Sequence, residues 1–242
     1  MDYWMIIAVL CAYIVKGLCA FANTLVFSTI LSFRTINLNI TPIELIVGYT
    51  ANAIIAWKER KSLQWKIWIP LSLLVIAGSI PGALLLKNAD NTIIKIFFGI
   101  AVAAIGVEMF FRESRQVKKK SSPLILWIIG AVSGLLCGLF GIGALLAAYV
   151  GRTADNNQSF RGNLCMVFLV ENTFRILLYL AAGIITPGIM KTAVFLLPFM
   201  LIGLGIGNYL ARILDERKVK KAVILSLIIS GVWLVLKNIG WL

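Results

Sequence analysis

Lys16 is the first residue of this chain whose position asks for chemistry. It stands deep in an apolar run, directly before the small-residue cluster Gly17-Leu-Cys-Ala-Phe-Ala-Asn-Thr24. A cation inside a membrane is costly unless it meets a partner, so such a charge marks a function by default. An anion ligand is one reading; a lysine snorkelling to an interface is the other. The cluster adds a second anion-binding feature. If the backbone turns at Ala22, Asn23 and Thr24, the helix that restarts there offers free N–H groups and about half a positive charge. Gly141, Ile142 and Gly143 form a similar break in the second half. Glycine permits such a turn and lets a ligand approach the backbone. Helix–helix packing is the competing reading of both clusters. Asn52 and Asn172 are polar and mid-segment, suited to bonding a ligand or to gluing helices. Glu171 and Arg175 lie four apart, which pairs them on one helix face as a structural ion pair or as a substrate- or proton-coupling group. Glu44 and Glu108 lie near segment ends and read as interfacial, and Asp90 and Asp215 read as helix caps.

Other chemistries lack their residues. The sequence has no histidine, no G-x-S-x-G, no carboxylate pair within one segment and no metal-ligand cluster. An enzyme, a metal site and a cofactor are therefore not expected. Cys11, Cys19, Cys137 and Cys165 all lie in apolar segments and read as packing residues.

The elements that position these residues follow from composition. Of 242 residues, 60% are hydrophobic and 14% charged, too apolar for an ordinary soluble domain. Apolar segments fall at 3–32, 42–57, 67–87, 92–111, 124–150, 162–184, 188–211 and 219–239. Each is long enough, or nearly so, to cross a bilayer. The expected fold is all-α, a polytopic membrane protein of about eight segments with no soluble domain and no evident cleavable signal peptide. Trp65, Trp68, Trp127, Trp233 and Trp241 sit near segment ends as interfacial anchors. The net charge of +13 resides in short separators, so lipid topology explains it and nucleic acid does not.

The chain reads as two repeats, 1–115 and 124–242, joined by a basic cytoplasmic linker at 116–123. Gly78, Gly82, Asp90, Lys95 and Gly106 recur 125 residues later as Gly203, Gly207, Asp215, Lys220 and Gly231. Charge then selects a topology. If segments 3–32 and 124–150 each cross once, the basic residues divide eleven against ten. If each turns back at its break, they divide sixteen against five, with Arg34, Lys87, Lys95, Lys191 and Lys237 on the sparse face. The second division obeys the positive-inside rule. It makes the repeats inverted, a common transporter plan, with both termini outside the cytoplasm.

Lys16-Gly-Leu-Cys-Ala-Phe-Ala-Asn-Thr-Leu-Val26 resembles the first signature of the TauE/SafE family of sulfite-exporter-like permeases, and Gly138-Leu-Phe-Gly-Ile-Gly-Ala144 the second. Phe160-Arg-Gly-Asn163, Leu178-Tyr-Leu-Ala-Ala-Gly-Ile-Ile185 and the stretch Gly203–Asp215 extend the resemblance over essentially the whole chain. Ala20, Ala22, Ala144 and Leu145 stand where the family usually has glycine or proline. The resemblance implies a transporter of a small anion, such as sulfite or an organosulfonate, in the cytoplasmic membrane, and the expected mechanism is that of a secondary transporter working by alternating access. Its partners would be that anion, the bilayer, a coupling proton or sodium ion, and a second copy of the chain as a homodimer. An anion channel and a non-transporting membrane scaffold are the rival classes.

Overall fold

The computed structural model describes residues 3–32, 40–88 and 144–214, with short runs inside 96–111, Trp127, and short runs inside 221–239. Among the described residues the chain is helical, without strands. Seven helices can be bounded: α1 (Tyr3–Cys19), α2 (Asn23–Ser32), α3 (Ile40–Lys58), α4 (Trp65–Asn88), α5 (Ala144–Thr153), α6 (Asn157–Ala181) and α7 (Pro187–Ile213). A single 3-10 turn, Arg60–Ser62, separates α3 from α4.

Local sequence explains the boundaries. Asn156 caps α6 by accepting from Ser159 N at 2.8 Å. Thr186 caps α7, with Pro187 at its first position. Beyond the end of α6, Gly183 takes a left-handed conformation at φ 67° and turns the chain toward α7.

The long first segment is broken where the sequence places its small residues. α1 stops at Cys19, α2 starts at Asn23, and α2 folds back against α1. The link carries Ala20 at φ 65° and Ala22 at φ 70°, left-handed positions that cost an alanine about 1 kcal/mol each. The corresponding break in the second half, Gly141 to Gly143, lies outside the described residues, as do Asp90, Glu108 and Asp215.

The chain forms two compact units, residues 1–73 with 154–214, and residues 74–153 with 215–242. In the first unit α1, α2, α3, α6 and α7 share one core, built on Ala12, Phe27, Val47, Ala51, Cys165, Leu196 and Met200. α1 and α7 run in the same direction at close range, because Gly203 faces Leu10 and Tyr13 while Gly207 faces Ile14 and Gly17. A methyl on Gly203 would stand 2.8 Å from the Leu10 carbonyl oxygen, and one on Gly207 would overlap that of Ile14. Small residues at four-residue spacing permit this approach, which favours helix association in lipid. α3 and α6 run oppositely. Gly162, near the start of α6, lies against Glu59 and Leu63 beyond the end of α3. Gln64 N donates to Asn163 Oδ1 at 2.9 Å, and Gln64 Nε2 donates to Asp155 at 2.6 Å.

α6 and α7 are long and apolar enough to cross a membrane. Their outer faces leave Leu177, Val194 and Ile202 more than half exposed, an apolar surface a water-soluble protein would cover. In the second unit Gly99 faces Gly231 and Val235, whereas Gly106 faces Ile224 and Ile228. That reversed order makes the two stretches antiparallel.

Gly207→Ala should lower the melting temperature of the detergent-purified protein, an overpacking cost of about 1–3 kcal/mol. Gly205→Ala, two residues away with open space around its Cα, should leave it unchanged or raise it.

Candidate functional site

The reversal between α1 and α2 buries a chain of polar groups. Lys16, in the last turn of α1, is 1% exposed. Its Nζ donates to Asn23 Oδ1 at 2.9 Å and lies 5.6 Å from the centroid of the Phe168 ring. Asn23 opens α2, and its Nδ2 donates in turn to Glu44 Oε1 at 2.5 Å. Thr24 Oγ1 donates to the same oxygen at 3.0 Å. One amide thus joins an ammonium on one side to a carboxylate on the other. Lys16 does not snorkel; its charge is compensated inside the protein.

Backbone geometry adds to these side chains. The first N–H groups of a helix have no acceptor within it. At α2 the preceding residue is Ala22, which has no side chain to cap them. The left-handed conformations of Ala20 and Ala22 aim that end of α2 toward Lys16 and the first turns of α3. At the other side of the break, Arg161 ties down the end of α1. Its Nη1 donates to Gly17 O at 2.8 Å and its Nη2 to Asn208 Oδ1 at 2.6 Å. A cation beside helix carbonyls is favourable in charge as well as in bonding.

α3 completes the site. Glu44, Gly48 and Asn52 recur every four residues and so form one stripe. A methyl on Gly48 would stand 3.4 Å from Glu44 Oε1, 3.4 Å from the Tyr13 hydroxyl and 3.6 Å from Asn23 Nδ2. The side chain missing at Gly48 therefore leaves three polar atoms facing the same point. The Tyr13 hydroxyl is buried there without completing hydrogen-bond geometry, and Asn52 Oδ1 is buried without a hydrogen-bond partner. From α6, Glu171 and Arg175 form the ion pair expected of their spacing, at 3.6 Å. Arg175 also donates to the Tyr179 hydroxyl at 3.2 Å, and both charges lie within Coulombic reach of Glu44.

Among the described residues the buried charged side chains are Lys16, Arg175, Glu44 and Glu171, two of each sign. Such a cluster is neutral as a whole, which is what a low-dielectric interior tolerates.

Of the residues singled out from sequence, Lys16, Asn23 and Thr24 come together directly, with Ala22 supplying the turn. Asn52 lies two helical turns along the same stripe from Glu44. Asn172 is buried on α6 beside Glu171 in sequence. Gly141, Ile142 and Gly143 lie outside the described residues. Glu44 differs from its interfacial reading: it is buried, because α2 folds the break back onto the first turns of α3. Tyr13 and Gly48 carried no signal of their own, although the four-residue spacing from Asn52 through Gly48 to Glu44 does point to one buried face.

Lys16→Met should destabilise the protein by about 3 kcal/mol, since it leaves the carboxylate of Glu44 without its relayed counter-charge. Adding Glu44→Gln should restore more than about 1 kcal/mol of that loss, a coupling readable from melting of the two single variants and the double.

In a comparison with families of known proteins, the family model described as "Sulfite exporter TauE/SafE" matches residues 5–234. Comparison with curated proteins and with solved structures returns no match.

Proposed function

The chain belongs to the TauE/SafE family of sulfite exporters, which are membrane transport proteins, and from that premise we propose that it is a secondary transporter passing a small anion across the cytoplasmic membrane by alternating access. The substrate class is sulfite, an organosulfonate, or a related sulfur compound or organic acid. The observation that carries the reading is the buried Lys16 ammonium, one hydrogen bond from the start of α2. An oxyanion there would meet a cation, an amide, a hydroxyl and the first backbone N–H groups of α2 together, the combination that recognises anions at helix ends.

Lys16, Ala22, Asn23 and Thr24 form the proposed anion-binding group in the first half, with Asn52 as an additional donor or acceptor. By repeat correspondence in the sequence, Gly141, Ile142 and Gly143 take the same proposed role in the second half, and Asn172 corresponds to Asn52. The coupling ion is a proton or sodium, with Glu171 and Arg175 as the coupling pair read from sequence.

Two observations support inverted repeats. The first is the meeting of separators 58–66 and 152–161 through Gln64 and Asp155, with Asn163 just past the second separator also bonded to Gln64. A topology in which segments 3–32 and 124–150 each cross once puts those separators on opposite sides of the membrane. The hairpin topology puts both in the cytoplasm. The second is the antiparallel pair in the second unit. The repeat offset of 125 residues carries Gly99 to Ile224 and Gly106 to Gly231. It therefore turns the Gly99–Gly231 approach into the Ile224–Gly106 approach, which is also present. An antiparallel pair that maps onto itself in this way has its two-fold axis perpendicular to the helices, hence in the plane of a membrane they cross.

Sulfite, thiosulfate, sulfoacetate, sulfate and simple carboxylates should be screened against the purified protein by thermal shift. At least one sulfur oxyanion is expected to raise the melting temperature, and the bound anion should enter proteoliposomes with saturable kinetics. Lys16→Met, where folded, should lower that uptake about tenfold or more, as expected for loss of a charged hydrogen bond. A C-terminal reporter active in the cytoplasm alone should stay silent, and an active one overturns the inverted arrangement.

A further inference from the structure

We infer that Glu44 is the anion site's own occupant, and that a transported anion displaces its carboxylate with uptake of a proton on that side chain. The inference deepens the proposed transport function and rests on it. Asn23 Nδ2 and Thr24 Oγ1, the two side-chain donors at the start of α2, both point at Glu44 Oε1. An amide and a hydroxyl that donate to a carboxylate donate equally well to a sulfite or sulfonate oxygen. The protein therefore holds in its anion site a carboxylate tethered to α3, and the substrate competes with it for the same hydrogens.

Charge balance turns that competition into coupling. The buried cluster of Lys16, Arg175, Glu44 and Glu171 is neutral. An anion entering it adds a negative charge to an interior where uncompensated charge is expensive. Protonation of one carboxylate restores neutrality. Glu171 is held by Arg175 in an ion pair at 3.6 Å, whereas Glu44 holds the donors the anion needs. In the exchange a hydronium ion from the aqueous side gives up a proton, its O–H bond breaking to leave water as an O–H bond forms on Glu44, and the hydrogen bonds of Asn23 and Thr24 pass to the anion. Release on the other side returns the proton and re-forms the Asn23–Glu44 bond.

The groups facing Glu44 come from each neighbouring helix. α1 brings Lys16 and the Tyr13 hydroxyl, and α2 brings the uncharged Asn23 and Thr24. α6 brings Glu171 and Arg175. The charged residues of α7, Lys191 and Arg212, are exposed. Arg161, half-buried near Lys16, is engaged with Gly17 and Asn208.

The test uses the full-length protein with methanesulfonate as the probe, a monovalent organosulfonate whose charge stays constant from mildly acid to mildly alkaline pH. Calorimetry of the wild type in buffers of different ionisation enthalpy should show a proton taken up with each anion bound. Apparent affinity should fall by up to about tenfold per pH unit of rise. Glu44→Gln keeps an oxygen for Asn23 and Thr24. In that variant, with folding checked by melting, binding should persist, its pH dependence should shrink to less than about twofold across the same range, and anion entry into proteoliposomes should no longer acidify the lumen. Wild-type binding without proton uptake overturns the inference whatever the variant does. So does a Glu44→Gln protein that still moves protons, or their loss in Glu171→Gln alone. Failure of the wild type to bind any anion of the screen overturns the transport reading itself, and this inference with it.

Discussion

A lysine ammonium in an apolar interior must find a counter-charge, hydrogen-bond acceptors, or both, and Lys16 finds them through a single amide. Asn23 accepts from the cation and donates to Glu44, so neither charge can be understood without the other two groups. This relay needs three pieces of chain at one place: the end of α1, the start of α2 and the first turns of α3. The reversal at Ala20–Ala22 brings the first two together, and the packing of α2 on α3 supplies the third. The strained conformations of the two alanines are a modest cost set against the compensation of two buried charges.

The surroundings keep the relay in place. Along α7, Gly203 and Gly207 let α1 come so near that no side chain fits between the backbones. Arg161 clamps the last turn of α1 to Asn208 on α7. The end of α1 that carries Lys16 is thereby fixed on two sides by α6 and α7. The left-handed turn after it then delivers Asn23 to one place. Van der Waals packing between small residues does here what side-chain interdigitation does in a water-soluble core.

Much of this was legible in the sequence, and the rest was not for identifiable reasons. The break in segment 3–32 announced itself as a run of small residues, and the Glu171–Arg175 pair as a four-residue spacing. Charge division favours a hairpin at the break, and the fold-back of α2 on α1 places a reversal there. Lys16 stood out because a cation there needs an explanation. Glu44 did not, since its place near the start of a segment suggested an interface. Depth along a segment was a poor guide, because the folded-back α2 closes over that end of α3. The close approach of Gly207 to Ile14 and Gly17 was hidden as well: glycine spacing signals that some backbone comes near, but not which one. Tyr13 and Gly48 become meaningful only once Asn23 is placed beside them.

The first compact unit is discontinuous along the chain, since residues 1–73 are completed by 154–214. This has a consequence for biosynthesis. α1 enters the membrane carrying Lys16, and the hairpin can supply Asn23 and then Glu44 soon afterwards. Phe168, Arg161 and the glycines of α7 arrive only after the interval 74–153 has been synthesised, a delay of roughly ten seconds at ordinary elongation rates. During that wait the Lys16–Asn23–Glu44 relay is the local means of keeping the cation solvated by protein. The three residues of the relay would thus first serve as a provisional shelter, letting a helix with a charge in it stay inserted until its permanent neighbours are made.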